Sequence, residues 1–170
     1  MIRRLLILAG AAVGALSLAL VALCAWGATL PSDHTASGER EIPAPPELVF
    51  ARITDPARYP HWRTGLRRVR LLNEDRWIEE STEGTLPFRF GARSRPSAVE
   101  TIVDSTSLPF SGRWNFELEP LGSGRTRVRI TERGTVTNIP MRALARFFAP
   151  PPDQTLNRYL ADLQTSFERI

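Results

Sequence analysis

The C-terminal stretch from Asp153 to Ile170 constrains this chain more than any other. Leu156, Leu160, Leu163, Phe167 and Ile170 recur at steps of four and three, which places all five on one stripe of a helix. Arg158, Asp162, Gln164, Thr165, Glu168 and Arg169 fall off that stripe and are expected to face water. A long helix with one apolar seam has to lie on a broad apolar surface. The middle of the chain offers that surface as short stretches rich in Trp, Phe, Val and Ile. The pattern predicts an α+β fold. A curved antiparallel sheet of about six or seven strands wraps the long C-terminal helix, with a cavity between them.

The other end of the chain is different in kind. Arg3 and Arg4 are followed by an uncharged run from Leu5 to Leu30. As a helix it would be about 39 Å long at ~1.5 Å per residue, enough to cross a hydrocarbon core of about 30 Å. The run predicts a transmembrane helix through which the chain meets the membrane. The two leading arginines favour a cytoplasmic N-terminus and a domain on the far, periplasmic or extracytoplasmic, side. The alternative is a cleaved signal peptide, for which Ala25-Trp26-Gly27 supplies small residues at the two positions a signal peptidase reads. The run exceeds the ~7–15 apolar residues of an ordinary signal core, which favours the anchor. A lipoprotein signal would need a small residue before Cys24, and Leu23 is not one. The expected division is an anchor over 1–30, a linker over 31–38 and a folded domain over 39–170.

Composition excludes more than it assigns. All basic residues are Arg, and once Arg3 and Arg4 are set aside they nearly balance the 18 acidic residues. A dedicated nucleic-acid binder concentrates positive charge far more strongly, so no nucleic-acid partner is expected. Cys24 is the only cysteine, so the domain must hold together by packing, without an internal disulfide. His34 and His61 are the only histidines, and neither sits in a metal-ligand spacing, so no metal or other cofactor is expected. No glycine-rich phosphate loop follows a strand, and Ser81, Ser107 and Ser111 have no histidine the sequence can place beside them.

In chain order, Arg40 to Pro43 reads as a first short strand. Pro45 and Pro46 open a short helix carrying Val49, Phe50 and Ile53. Asp55-Pro56 opens another that Pro60 ends. Strands follow over Leu66 to Leu72, Arg76 to Thr82, Thr85 to Ala92, Ser97 to Asp104, Gly112 to Glu119 and Arg125 to Gly134. Met141 to Phe148 is a short amphipathic helix, cut off from the long one by Pro150-Pro151-Pro152. Arg142 and Arg146, with Met141, Leu144, Phe147 and Phe148, form a patch that could pack over one end of a cavity or face a membrane. Arg67-Arg68-x-Arg70 reads as a charged strand edge.

Specific residues carry a resemblance. Glu41-Ile42-Pro43-Ala44-Pro45-Pro46-Glu47-Leu48-Val49-Phe50, then Ile53-Thr54-Asp55-Pro56 and Tyr59-Pro60-His61-Trp62, are similar to the opening of the polyketide cyclase/START-like superfamily, called SRPBCC or helix-grip. The likeness resumes at Gly112 to Leu118, Gly124 to Val128 and Thr131 to Gly134, and closes at Tyr159-Leu160-Ala161-Asp162-Leu163. It covers about residues 35–170. The resemblance implies a hydrophobic cavity between sheet and C-terminal helix. In that superfamily such cavities serve lipid carriers, hormone and alkaloid binders, polyketide aromatases and cyclases, and quinone-associated proteins.

Strand parity and the helix stripe nominate the cavity lining: Trp77, Phe88, Phe90, Trp114, Phe116, Ile130, Glu132, Leu156, Leu160 and Leu163. Among inward carboxylates, Glu132 continues the parity of Val128 and Ile130, Glu79 shares parity with Trp77, and Glu100 is a third candidate. A buried carboxylate is costly unless paired, so each is either a polar anchor, a general acid/base group or one half of an ion pair. The residues favour binding over catalysis. The expected ligand is an apolar small molecule (lipid, quinone or polyketide-like) held close to the membrane. One alternative is a cyclase/aromatase-type enzyme using Glu132, Glu79 or Tyr59. The other is an interaction domain whose cavity has closed. The oligomeric state is left open.

Overall fold

The computed structural model describes residues 2–82, 84–148 and 150–168, so Ile170, the last member of the helix stripe, and Glu83 lie outside the described residues. The chain divides into two compact units.

The larger unit, residues 34–135 and 150 onward, carries the sheet. Strands β1 (Asp33–Ile42), β2 (Leu66–Leu71), β3 (Arg76–Ser81), β4 (Gly84–Ser94), β5 (Ala98–Val103), β6 (Phe110–Gly122) and β7 (Arg125–Val136) form one seven-stranded antiparallel sheet in the order β1-β7-β6-β5-β4-β3-β2. From β2 to β7 each strand lies beside its chain neighbour, and only β1 crosses over to reach β7. Helix α2 (Pro46–Ile53) and a 3-10 helix (Pro56–His61) fill the crossover, and α4 (Pro152–Glu168) closes the core. Leu156, Leu160 and Leu163 are fully buried in one cluster with Trp77, Phe90, Phe116, Val128 and Ile130, so the seam predicted from spacing is the one that packs.

Three differences from the sequence reading have physical causes. β1 begins at Asp33, so most of the expected 31–38 linker is strand. Its half-buried positions are His34, Ala36, Gly38 and Arg40, which carry no apolar alternation to detect. Gly38 is small for a reason: a Cβ there would meet Leu160 Cδ1 at 3.2 Å and Leu156 Cβ at 3.7 Å, because β1 passes close under α4. The 3-10 helix runs through Pro60 to His61 rather than stopping after Tyr59. Finally, Asp162 and Gln164, expected in water, stitch α4 to its surroundings. Asp162 accepts from Thr64 N–H at 2.7 Å and from Thr64 Oγ1–H at 2.9 Å, and Gln164 Oε1 accepts from Arg40 at 2.8 Å.

β1 and β2 are the two edges of the sheet. Arg67, Arg68 and Arg70 stand exposed along β2, where charge discourages pairing with another chain.

The smaller unit joins α1 (Ile2–Thr29) to α3 (Ile139–Phe148). Within α1, Ile7–Thr29 is long and apolar enough to cross a membrane. Asn138 caps α3 by accepting the Met141 N–H at 3.0 Å, and Pro140 sits in the first turn, where its missing N–H costs nothing. α3 packs on α1. A Cβ at Gly27 would stand 2.3 Å from the Ile139 carbonyl oxygen, and Trp26 and Phe147 rings lie 5.4 Å apart.

Candidate functional site

Between the sheet and α4 lies a cavity of about 190 Å³. β3, β4, β5 and β6 present Trp77, Phe88, Thr101, Trp114 and Phe116 to it, β7 presents Ile130, and α4 presents Leu156 and Tyr159. These strand residues come from one parity of each strand, which is why alternation alone could find them. The rings form a connected wall: Trp77 stacks on Phe88 at 5.9 Å, Phe88 meets Trp114 at 5.8 Å, and Phe116 meets Tyr159 at 5.4 Å.

One polar cluster interrupts this wall. Glu79 is 6% exposed, and its Oε1 accepts from Arg63 Nη1 at 2.7 Å and from Trp77 Nε1 at 2.9 Å. Its other oxygen receives no hydrogen bond among the described residues. The Arg63 guanidinium lies over the Tyr59 and Tyr159 rings, at 4.9 and 5.2 Å from their centroids. Burial works against the Arg63 cation. The facing Glu79 carboxylate, with the two phenols, outweighs that penalty and holds the guanidinium above its ordinary value. Burial pushes both phenols well above the usual tyrosine range, Tyr59 the more enclosed. Tyr59 spends its hydroxyl on the Ile53 carbonyl. The Tyr159 hydroxyl, on the cavity wall, has no such partner among the described residues.

Of the ten lining residues read from sequence, Trp77, Phe88, Trp114, Phe116, Ile130 and Leu156 border the cavity. Phe90, Leu160 and Leu163 are buried in the core beyond it. Glu132 is placed elsewhere: its carboxylate faces His34 Nε2 at 3.4 Å, with 12% of its side chain exposed. Glu100 is a correction. Val99, Thr101 and Val103 take the inner face of β5, so Glu100 points the other way and pairs with Arg113 at 2.9 Å. Arg63 and Tyr159 were missed. Arg63 sits in a loop without periodicity. Tyr159, three residues after Leu156 and four before Leu163, could have been found by widening the helix stripe.

A second, open groove of about 720 Å³ borders the same loop, lined by Arg52, Arg58, His61, Trp62, Arg63 and Asp162 among others. Its charges are already engaged. Arg58 pairs with Asp55 at 3.3 Å, Arg52 donates to the Ser166 carbonyl at 3.2 Å near the end of α4, and Asp162 holds Thr64. No group of three or more His, Cys, Asp or Glu able to hold a metal occurs among the described residues.

The layers, the sheet order and a cavity under the last helix define a START-like helix-grip protein. Residues 33–168 match the model of the polyketide cyclase / dehydrase and lipid transport family, and the chain belongs to that family. No curated protein matches the sequence. Solved structures share the fold at low identity. A START superfamily protein from Mycobacterium smegmatis aligns with TM-score 0.64 at 16% identity, covering 80% of this chain and 98% of that one. A conserved protein from Geobacillus kaustophilus gives 0.67 at 14%, covering 80% and 96%. A norcoclaurine synthase point mutant from Thalictrum flavum, in complex with a transition-state analogue, gives 0.64 at 8%, covering 81% and 95%.

Proposed function

We propose that this chain is a membrane-anchored binder of an apolar, ring-sized small molecule held in the cavity under α4. The carrying observation is the lining: an aromatic wall broken by one internally neutralised ion pair, whose carboxylate keeps a free acceptor. The volume sharpens the ligand class. About 190 Å³ is smaller than the roughly 300–1,000 Å³ of drug-sized sites. A quinone-like or aromatic ring fits, whereas a long acyl chain would have to displace α4. Glu79 accepts a hydroxyl or N–H from the ligand, Tyr159 donates to it, and Arg63 holds the Glu79 carboxylate in place. Gly27 supports the uncleaved anchor, since its smallness serves the packing of α3 on α1 and needs no signal peptidase. The two arginines ahead of the run, Arg3 and Arg4, support a cytoplasmic N-terminus with the domain on the far side.

The test is full-length protein in mild detergent, analysed by native mass spectrometry and organic extraction. A co-purifying ring-sized molecule is expected. Its retention should fall by about tenfold or more in Glu79→Gln, given that a charge-assisted hydrogen bond is worth roughly 1.5–3 kcal/mol. A chain that emerges empty and takes up no aromatic probe would sink the proposal.

A cyclase-type enzyme is the second reading. It is favoured by the convergence of Glu79, Arg63 and Tyr159 on one cavity. In that case Glu79→Gln would abolish turnover while the ligand still bound.

A further inference from the structure

The exposed apolar groups of the smaller unit are not scattered. Phe147 is 67% and Phe148 81% exposed, with Leu144, Ile139 and Trp26 each near 40%. Trp26, Phe147 and Phe148 form a chain of rings, 5.4 and 6.3 Å apart. A water-facing helix does not gather its largest side chains on its open side. The one fully buried side chain of α3 is Ala143.

Charge on α3 is of one sign. Ile139 to Phe148 holds no acidic residue. Arg142 is occupied inside the unit, donating to the Val136 carbonyl at 2.7 Å and the Thr137 carbonyl at 3.3 Å. Arg146 is exposed and has no ion pair among the described residues.

Position along α1 supplies the partner. From Ile7 to Trp26 the helix rises about 28 Å at ~1.5 Å per residue, close to the ~30 Å of a hydrocarbon core. If α1 spans a bilayer, Trp26 arrives at the far interface, where Trp is enriched. α3 packs against α1 at that level, through Gly27 and Ile139 and through Trp26 and Phe147. From these observations we infer that α3 is an interfacial helix lying in the same bilayer. Phe147, Phe148 and Leu144 sit at the headgroup–acyl boundary, and Arg146 reaches lipid phosphates. The occupant of this surface is lipid, and the inference rests on the anchor reading above. The anchor thus has two parts, one crossing the membrane and one lying on it.

The experiment uses the full chain in vesicles of phosphatidylcholine with anionic phosphatidylglycerol. In a Cys24→Ala background, single cysteines at Leu16, Leu144, Phe148 and Ser123 are labelled with an environment-sensitive fluorophore. Each is then challenged with aqueous iodide and with shallow and deep spin-labelled lipids. The label at Leu16 should be quenched by deep lipid, those at Leu144 and Phe148 by shallow lipid, and that at Ser123 by iodide. Adding Phe147→Ser and Phe148→Ser should move the Leu144 label from lipid to iodide quenching. If Leu16 is deep but Leu144 and Phe148 behave like Ser123, the interfacial helix is wrong and the anchor stands. If both are shielded from lipid and iodide alike, the face belongs to a protein contact and the inference fails. If Leu16 itself is out of reach of lipid, the anchor reading fails and takes this inference with it.

Discussion

The two units treat aromatic residues in opposite ways. In the sheet unit, Trp77, Phe90 and Phe116 are turned inward, and the one carboxylate among them is given two donors. In the α1–α3 unit, Phe147 and Phe148 are turned outward and the only buried side chain of the short helix is an alanine. The first pattern is what water imposes on a chain. The second is what the proposed anchor requires, since an apolar surrounding favours rings that face outward.

Leu163→Asp puts an unpaired charge into the seam of α4. At a cost of several kcal/mol or more, against total stabilities of roughly 5–15 kcal/mol, it should leave no cooperative unfolding transition by circular dichroism. An unchanged melting curve would mean that α4 does not close the core. Glu79→Ala strands the Arg63 cation. A broken buried pair costs roughly 3–5 kcal/mol, toward the low end here because Arg63 keeps 23% of its side chain exposed. Denaturant unfolding should recover most of that loss in the double variant Glu79→Leu with Arg63→Met.

Alkaline pH gives a third test. Tyr59 and Tyr159 are the only tyrosines, and both are held above the ordinary value of about 10. The folded state therefore keeps these protons to higher pH than the unfolded state does. Their contribution to stability is complete below about pH 10 and is lost as pH rises through the folded values. Tyrosinate absorbance should appear only together with unfolding, and a titration near pH 10 in the folded protein would contradict the buried cluster. The smallest effect is expected outside. Phe147→Ser with Phe148→Ser should change the thermal stability of the sheet unit in detergent by no more than about 0.5 kcal/mol, as for ordinary surface positions. A larger loss would mean these rings belong to a core.

What the sequence revealed and concealed follows from periodicity. β6 and β7 alternate cleanly because water wets one face, and α4 repeats at three and four because one seam is dry. The cavity wall was legible for the same reason. The first part of β1, ahead of Arg40, was hidden because its half-buried positions are His34, Ala36 and Gly38, which show no apolar alternation. Arg63 was hidden because its partner, Glu79, is reached from a loop, and a contact across 16 positions leaves no periodic trace. Glu132 has the correct parity yet lies beside His34, since parity gives the face of a strand and says nothing of the position along it.

The crossover of β1 has a consequence for how the molecule is made. Arg129 on β7 bonds Glu39 on β1 across 90 positions of chain. The first strand to leave the ribosome therefore waits for the last before it has a neighbour, and α4 comes later still. Until then the aromatic face of the sheet stands uncovered. Such long-range closure makes folding slow and its intermediates prone to association. Arg67, Arg68 and Arg70, on the edge strand formed early, are well placed to keep those half-built chains apart.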